Sequence, residues 1–146
     1  MGVEKRVEVM LESTLESVNQ AEQIAVQFAG KAGFCEEDTH KVGMAVRESM
    51  VNAVLHGNRY DPQKKAGLRL ELDHGRLVVI ITDQGEGFDM DHIPYPLAEE
   101  NLLRQSGRGI FLIRAFMDEL HMRRLEPRGM EVRMVKYPSV ESSKEE

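Results

Sequence analysis

One cysteine, Cys35, stands in a chain of 146 residues, so no disulfide can form within it. Stability has to come from a packed core, which a chain of this length can build as one domain. A fold that needs no disulfide suits the cytoplasm, and a lone cysteine reads as a small buried hydrophobe. Long apolar runs are also missing. None approaches the ~20 residues a membrane-spanning helix needs, and the opening MGVEKRVEV lacks the apolar stretch of a signal peptide. No block of Lys or Arg stands out and the formal net charge is −6, which argues against a nucleic-acid surface. His40, His56, His74, His92 and His121 show no metal-ligand spacing. Neither a Gly-x-x-x-x-Gly-Lys phosphate loop nor a Gly-x-Ser-x-Gly nucleophile elbow occurs.

What is present alternates between helical and extended patterns. Residues 3–11 alternate apolar and polar and predict a first strand. Residues 12–33 predict a helix, with Ser13 or Thr14 as its cap and Gly30 or Gly33 at its end. Residues 35–57 predict a second helix, acidic at its start as the helix dipole prefers. After a polar loop, residues 68–83 predict a hairpin turning at Asp73-His74-Gly75-Arg76. Its second strand is apolar on both faces and is expected to be central and covered. Residues 84–109 are irregular apart from a short helical piece near 96–104, and a connection this long in a compact domain is usually functional or disordered. A helix over 110–120 and strands over 121–126 and 130–138 close the domain, and a polar tail follows at 139–146. Runs of strands against runs of helices give an α+β two-layer sandwich with a mostly antiparallel sheet.

Three stretches carry candidate chemistry. In the helix that ends in RESMVNAVLHGN, Val42, Ala45, Val46, Ser49, Met50 and Ala53 share the face that packs on the sheet. Glu48 and Asn52 sit beside that face about 40° apart, at the boundary between core and water. Taken alone they read as a solvated edge with an ordinary i,i+4 hydrogen bond, and His56 alone reads as a packed histidine. In TDQGEGFD, a strand ends in Asp83, and Gly85 and Gly87 let the backbone turn sharply and approach a ligand closely. A carboxylate there can accept a hydrogen bond from an exocyclic amine, although a strand with a Gly-rich turn is common. In RQSGRGIFLI, Ser106, Gly107 and Gly109 lead straight into a helix whose first N–H groups can hold an anion, with Arg104 and Arg108 adding positive charge. Its plain reading is a Ser106 cap with a flexible lead-in.

Together they are far more specific. Glu-x-x-x-Asn-Ala-x-x-His-Gly, a strand ending Asp-x-Gly-x-Gly-Phe, and Ser-Gly-Arg-Gly-Ile before a helix resemble the Bergerat-fold ATPases: gyrase-type topoisomerases, large heat-shock chaperones, mismatch-repair ATPases and histidine kinases. The match runs from about residue 36 to 137. DQGEGFD and SGRGIFLIRAFMDEL are most similar to the free-standing anti-sigma factor serine/threonine kinases of bacterial partner switches.

That resemblance implies a histidine-kinase-like ATPase domain over 1–138, with ATP and Mg²⁺ as cofactors. It implies that Asn52 holds Mg²⁺ through its amide oxygen, that Glu48 is the general base, and that Asp83 reads the adenine amine. Gly85 and Gly87 would pass close to base and ribose, and Gly107 and Gly109 would wrap the phosphates under a lid formed by the long loop. The implied partners are a sigma factor and an anti-anti-sigma antagonist as phosphorylation substrate, on a homodimer that binds neither nucleic acid nor membrane. Some such kinases place an arginine directly before the Ser-Gly of the lid. This chain has Gln105 there, with Arg104 one residue earlier and Arg108 between the glycines. A non-catalytic module that sequesters a partner therefore remains the alternative. The ATPase half of a histidine kinase is disfavoured, because residues 1–35 carry no histidine.

Overall fold

A computed structural model describes residues 3–85 and 109–139. The segment expected to form a lid, with its expected helical piece and with Gly87, Arg104, Gln105, Ser106, Gly107 and Arg108, lies outside the described residues, as does the tail from 140. The elements run β1 (Val3–Glu12), α1 (Leu15–Lys31), α2 (Glu36–Val51) with a π-helical continuation (Asn52–Gly57), β2 (Lys65–Asp73), β3 (Arg76–Thr82), α3 (Gly109–Phe116), β4 (Glu119–Arg124) and β5 (Met130–Lys136). The five strands form one sheet in the order β1-β2-β3-β5-β4 with every pairing antiparallel. The α+β two-layer arrangement expected from the sequence is the one found.

Local chemistry explains most boundaries. The Thr14 hydroxyl accepts the Ser17 N–H at 3.1 Å and caps α1, so of the two candidate caps it is Thr14 that serves. At the other end Gly33 has φ +96° and donates to the Gly30 carbonyl, while the Phe34 N–H reaches the Ala29 carbonyl. This paired return needs a left-handed residue, which glycine adopts without strain. Cys35 is buried as expected, and its sulfur also accepts the Asp38 N–H at 3.5 Å to cap α2. The β2–β3 turn has positive φ at both His74 (53°) and Gly75 (80°), the turn whose twist matches its flanking strands.

The core lies between the sheet and the helices. Val42, Val46 and Met50 of α2 are fully buried against Leu68 and Leu70 of β2 and Leu77, Val79 and Ile81 of β3. Among the described residues, the opposite face of β3 is covered by side chains of the sheet itself. Val78 and Ile80 form a small buried cluster with Val135, and the register sets Ile80 between Arg69 and Arg133 and Val78 beside Glu71. The stems of these long side chains shield the apolar pair, and the Arg69 guanidinium lies 3.2 Å from the Glu71 carboxylate.

Several boundaries differ from the sequence reading. The third helix stops at Phe116 instead of 120, and β4 begins at Glu119. Lys136, 7 % exposed, donates from Nζ to the Phe116 carbonyl at 2.9 Å and lies 3.9 and 4.0 Å from the Asp38 and Asp118 carboxylates. A cation on the last carbonyls ends the helix from outside its own sequence. Strand β2 begins three residues early, at Lys65, for a reason that lies in Asn58.

Asn58 is 1 % exposed and uses its whole amide. Its Nδ2 donates to the Ser13 hydroxyl (2.9 Å) and to the Lys65 carbonyl (3.0 Å), and its Oδ1 accepts the Gln84 N–H at 2.7 Å. Gln84 in turn accepts the Lys65 N–H on its side-chain oxygen at 2.6 Å. One side chain thus ties the end of the second helix to the end of β1, the start of β2 and the residue after Asp83. We expect Asn58→Ala to lower the urea-derived unfolding free energy by about 3 kcal/mol, because it removes these bonds and leaves their buried partners unmatched. A loss under about 1 kcal/mol would contradict this role.

Candidate functional site

A cavity opens where the second helix ends. Its walls are Ser49, Asn52, Ala53, His56 and Gly57 from that helix and its π-helical continuation, Asp83 beyond β3, and Ile110 and Ile113 of α3. Ile81, Leu120, Met122, Met130 and Val132 of the sheet supply an apolar floor. Apolar walls around a few polar groups are typical of a small-molecule site.

The π-helical stretch changes which residues face inward. The Asn58 N–H returns to the Ala53 carbonyl, five residues back, at 2.7 Å. Such single wide turns inside α-helices are frequent at functional sites. The stripe on the cavity wall is Ser49, Asn52, Ala53 and His56. Glu48 is half-buried and sits beside that wall, not in it. Glu48 and Asn52 have no hydrogen-bonding or ionic partner among the described residues, so both carboxylate and amide are available. Burial holds the His56 pKa below its ordinary value. Without a ligand, burial thus favours the uncharged imidazole.

Asp83 is the centre of the site. It is 8 % exposed, its N–H donates to the Met130 carbonyl at 3.0 Å, and its Oδ1 accepts the Gly85 N–H at 2.9 Å. Burial raises its pKa, opposed by the Gly85 and Met130 backbone and by the Lys64 charge. The carboxylate is wedged against backbone. A Cβ on Gly57 would strike the Asp83 carboxyl group, a Cβ on Gly85 would strike the Gly57 carbonyl, and a Cβ on Gly129 (φ +110°) would strike the Asp83 carbonyl. The glycine at 85, which the sequence suggested for approach to a ligand, is required here by the neighbouring chain. Gly57 and Gly129 are site residues that sequence reasoning undervalued. Gly129 shows only as a hairpin glycine, and its closeness to Asp83 follows from strand pairing.

Among the described residues no cluster of three or more His, Cys, Asp or Glu side chains stands ready for a metal. Asn52 is a single amide oxygen on the cavity wall. That fits a Mg²⁺ that keeps several waters and is carried in by phosphates, since this ion commonly takes few protein ligands. Gly109, the first residue of α3, brings the start of that helix to the cavity beside Ile110. Helix starts present free N–H groups suited to anions.

The cavity sits on a two-layer α/β sandwich and offers a buried acceptor, Asp83, and an amide, Asn52, to a small molecule. A family model for the histidine kinase-like ATPase domain matches residues 11–136. The chain belongs to that family. It is 33 % identical over 115 residues to a serine-protein kinase RsbW of Halalkalibacterium halodurans, covering 75 % of this chain and 68 % of that protein. It is 31 % identical over 140 residues to the RsbW of Staphylococcus epidermidis, covering 90 % of this chain and 86 % of that one. It is 30 % identical over 115 residues to the RsbW of Bacillus subtilis, covering 75 % and 71 %. Among solved structures, the RsbU and RsbW domains of Rv1364c from Mycobacterium tuberculosis share the fold, with a TM-score of 0.62 at 12 % identity. The match covers 92 % of this chain and 32 % of that longer one. No helix among the described residues is long and apolar enough to cross a membrane.

The raised pKa of Asp83 has a defined consequence. The folded state holds this proton more tightly than the unfolded chain does. The carboxyl therefore favours folding most at low pH, and that contribution is lost as pH rises from the ordinary carboxyl value through the raised one. We expect Asp83→Asn to gain stability relative to wild type between about pH 3 and pH 7, read by urea unfolding at each pH. A relative loss over that interval would contradict the burial account.

Proposed function

We propose that the chain is an ATP-dependent protein serine/threonine kinase that acts as an anti-sigma factor. It holds a sigma factor inactive, and it phosphorylates an anti-anti-sigma antagonist on serine or threonine. The observation that carries this reading is one cavity bearing a buried acceptor, Asp83, and an unengaged amide, Asn52, with Glu48 beside it. The relatives named serine-protein kinases support the choice of a protein hydroxyl over water.

In this reading Asp83 accepts from the exocyclic amine of adenine, and the apolar floor takes the ring. Asn52 Oδ1 would hold a Mg²⁺ brought in with the phosphates, and that ion would supply neutralisation of phosphate charge. Glu48 takes the proton from the antagonist's hydroxyl as that oxygen bonds to the γ-phosphorus, and the bridging oxygen leaves with ADP. Positioning and charge neutralisation supply most of the rate in such transfers. The helix start at Gly109 serves the phosphates, together with Ser106, Gly107, Arg104 and Arg108 and the lid that holds Gly87. An acidic chain that pairs as a homodimer suits protein partners with basic patches, in the cytoplasm and without contact to DNA.

Transfer of labelled γ-phosphate from ATP to candidate antagonist proteins tests the reading. We expect a labelled serine or threonine in wild type and a rate lower by about 10²- to 10⁴-fold in Glu48→Gln, with ADP affinity unchanged. Transfer that survives in Glu48→Gln would remove Glu48 as the base. Tight ATP binding without transfer to any antagonist would favour the partner-sequestering module instead.

A further inference from the structure

Two properties of the methionines overlap at a single residue. Among the described residues, Met50, Met117, Met130 and Met134 are buried, Met10 is 61 % exposed, and Met44 and Met122 are half-buried. Two methionines line the cavity, Met122 and Met130. Of the described methionines, Met122 alone both lines the cavity and keeps exposure to water. Its place in the sheet gives the reason. Strand β4 is an edge, with β5 on one side and no strand on the other among the described residues. Cover that a second neighbour would give is therefore missing.

Strand register carries Met122 into the cavity floor. Ile81 pairs with Val132, and Val132 pairs with Met122, so the three make one row across β3, β5 and β4. All three line the cavity. At about 4.8 Å per strand, the row runs ~10 Å from the central strand to the sheet edge. On this face the neighbours of Met122 are Val132 across the strand pair and Leu120 two residues back. Both side chains are apolar and neither offers a hydrogen-bond donor. A thioether suits such a floor, because it is soft and nearly apolar. A sulfoxide does not, because its oxygen needs a donor.

We propose that Met122 is an oxidation site through which a peroxide closes the pocket to nucleotide. This inference rests on the nucleotide reading above. The sulfur lone pair attacks one oxygen of hydrogen peroxide, and the O–O bond breaks as the S–O bond forms. The second oxygen leaves as hydroxide and takes up the remaining proton to give water. Sulfur is oxidised by two electrons and the peroxide is reduced by two. The product is a polar side chain at a place built for an apolar one. A purine laid on that floor strips the sulfoxide of water and leaves its oxygen unpaired. A bound nucleotide in turn covers the sulfur, so nucleotide and oxidant exclude each other. Methionine sulfoxide reductases reverse the change, which makes it a switch.

Treatment of the full chain with hydrogen peroxide, followed by peptide mass mapping and calorimetric titration of ADP, tests the proposal. Added oxygen appears at Met10 and Met122 and not at Met130. Saturating Mg-ADP slows the reaction at Met122 and leaves that at Met10 unchanged. Oxidised wild type binds ADP about tenfold more weakly than untreated wild type, the effect of one polar group left unpaired against the ring. That loss follows the time course of oxygen at Met122 and not at Met10, and a sulfoxide reductase reverses it. In Met122→Leu, peroxide shifts ADP affinity by less than about twofold from the variant's own untreated value. No oxygen at Met122, no protection by ADP, or an oxidised Met122 with affinity intact overturns this inference and leaves the nucleotide reading standing. A peroxide effect of the same size in Met122→Leu does so too. Failure of untreated wild type to bind ADP overturns both.

Discussion

The site depends on one interlock. Gly57 and Asn58, at the end of the second helix, lie against Asp83, Gln84 and Gly85, at the end of the central strand. Two absent side chains allow the backbones to touch, and one amide stitches them together. A methyl group at either glycine would push the strand end away from the helix. The same contact fixes the Asp83 carboxyl group, ends the helix in a wide turn and sets where β2 begins. Helix, strand and pocket are therefore consequences of a single close approach and do not vary independently.

Holding Asp83 this way works against folding and for binding. Burial disfavours its charge, and only part of that is offset by the Gly85 N–H and the Lys64 ammonium. An acceptor that is partly unsatisfied in a mostly apolar cavity discriminates strongly, since a ligand without a matching donor leaves it unpaired. Sites of this kind commonly break local rules that the rest of the fold obeys.

Much of this was legible in the sequence because it is periodic or local. Alternation marked β1, a run apolar on both faces marked the doubly buried β3, the 3.6-residue period marked α1 and α2, and Thr14, Gly33 and His74-Gly75 marked turns by chemistry they carry themselves. The early start of β2 and the early end of α3 were not legible, because Asn58 and Lys136 impose them from elsewhere in the chain. The candidate stripe was read at a strict four-residue spacing as Glu48, Asn52 and His56. The wall is Ser49, Asn52, Ala53 and His56, since a helix turns in less than four residues and then widens at its end. Ser49 lies on the packing face where periodicity placed it, and it is buried there.

The central claim is that Asn52 and Asp83 serve one bound nucleotide. Calorimetric titration of ADP with and without Mg²⁺, on wild type and Asn52→Ala, tests it most directly. The account predicts micromolar binding by both proteins, strengthened by Mg²⁺ in wild type alone. No binding by wild type in either condition, or an equal Mg²⁺ effect in Asn52→Ala, would contradict it.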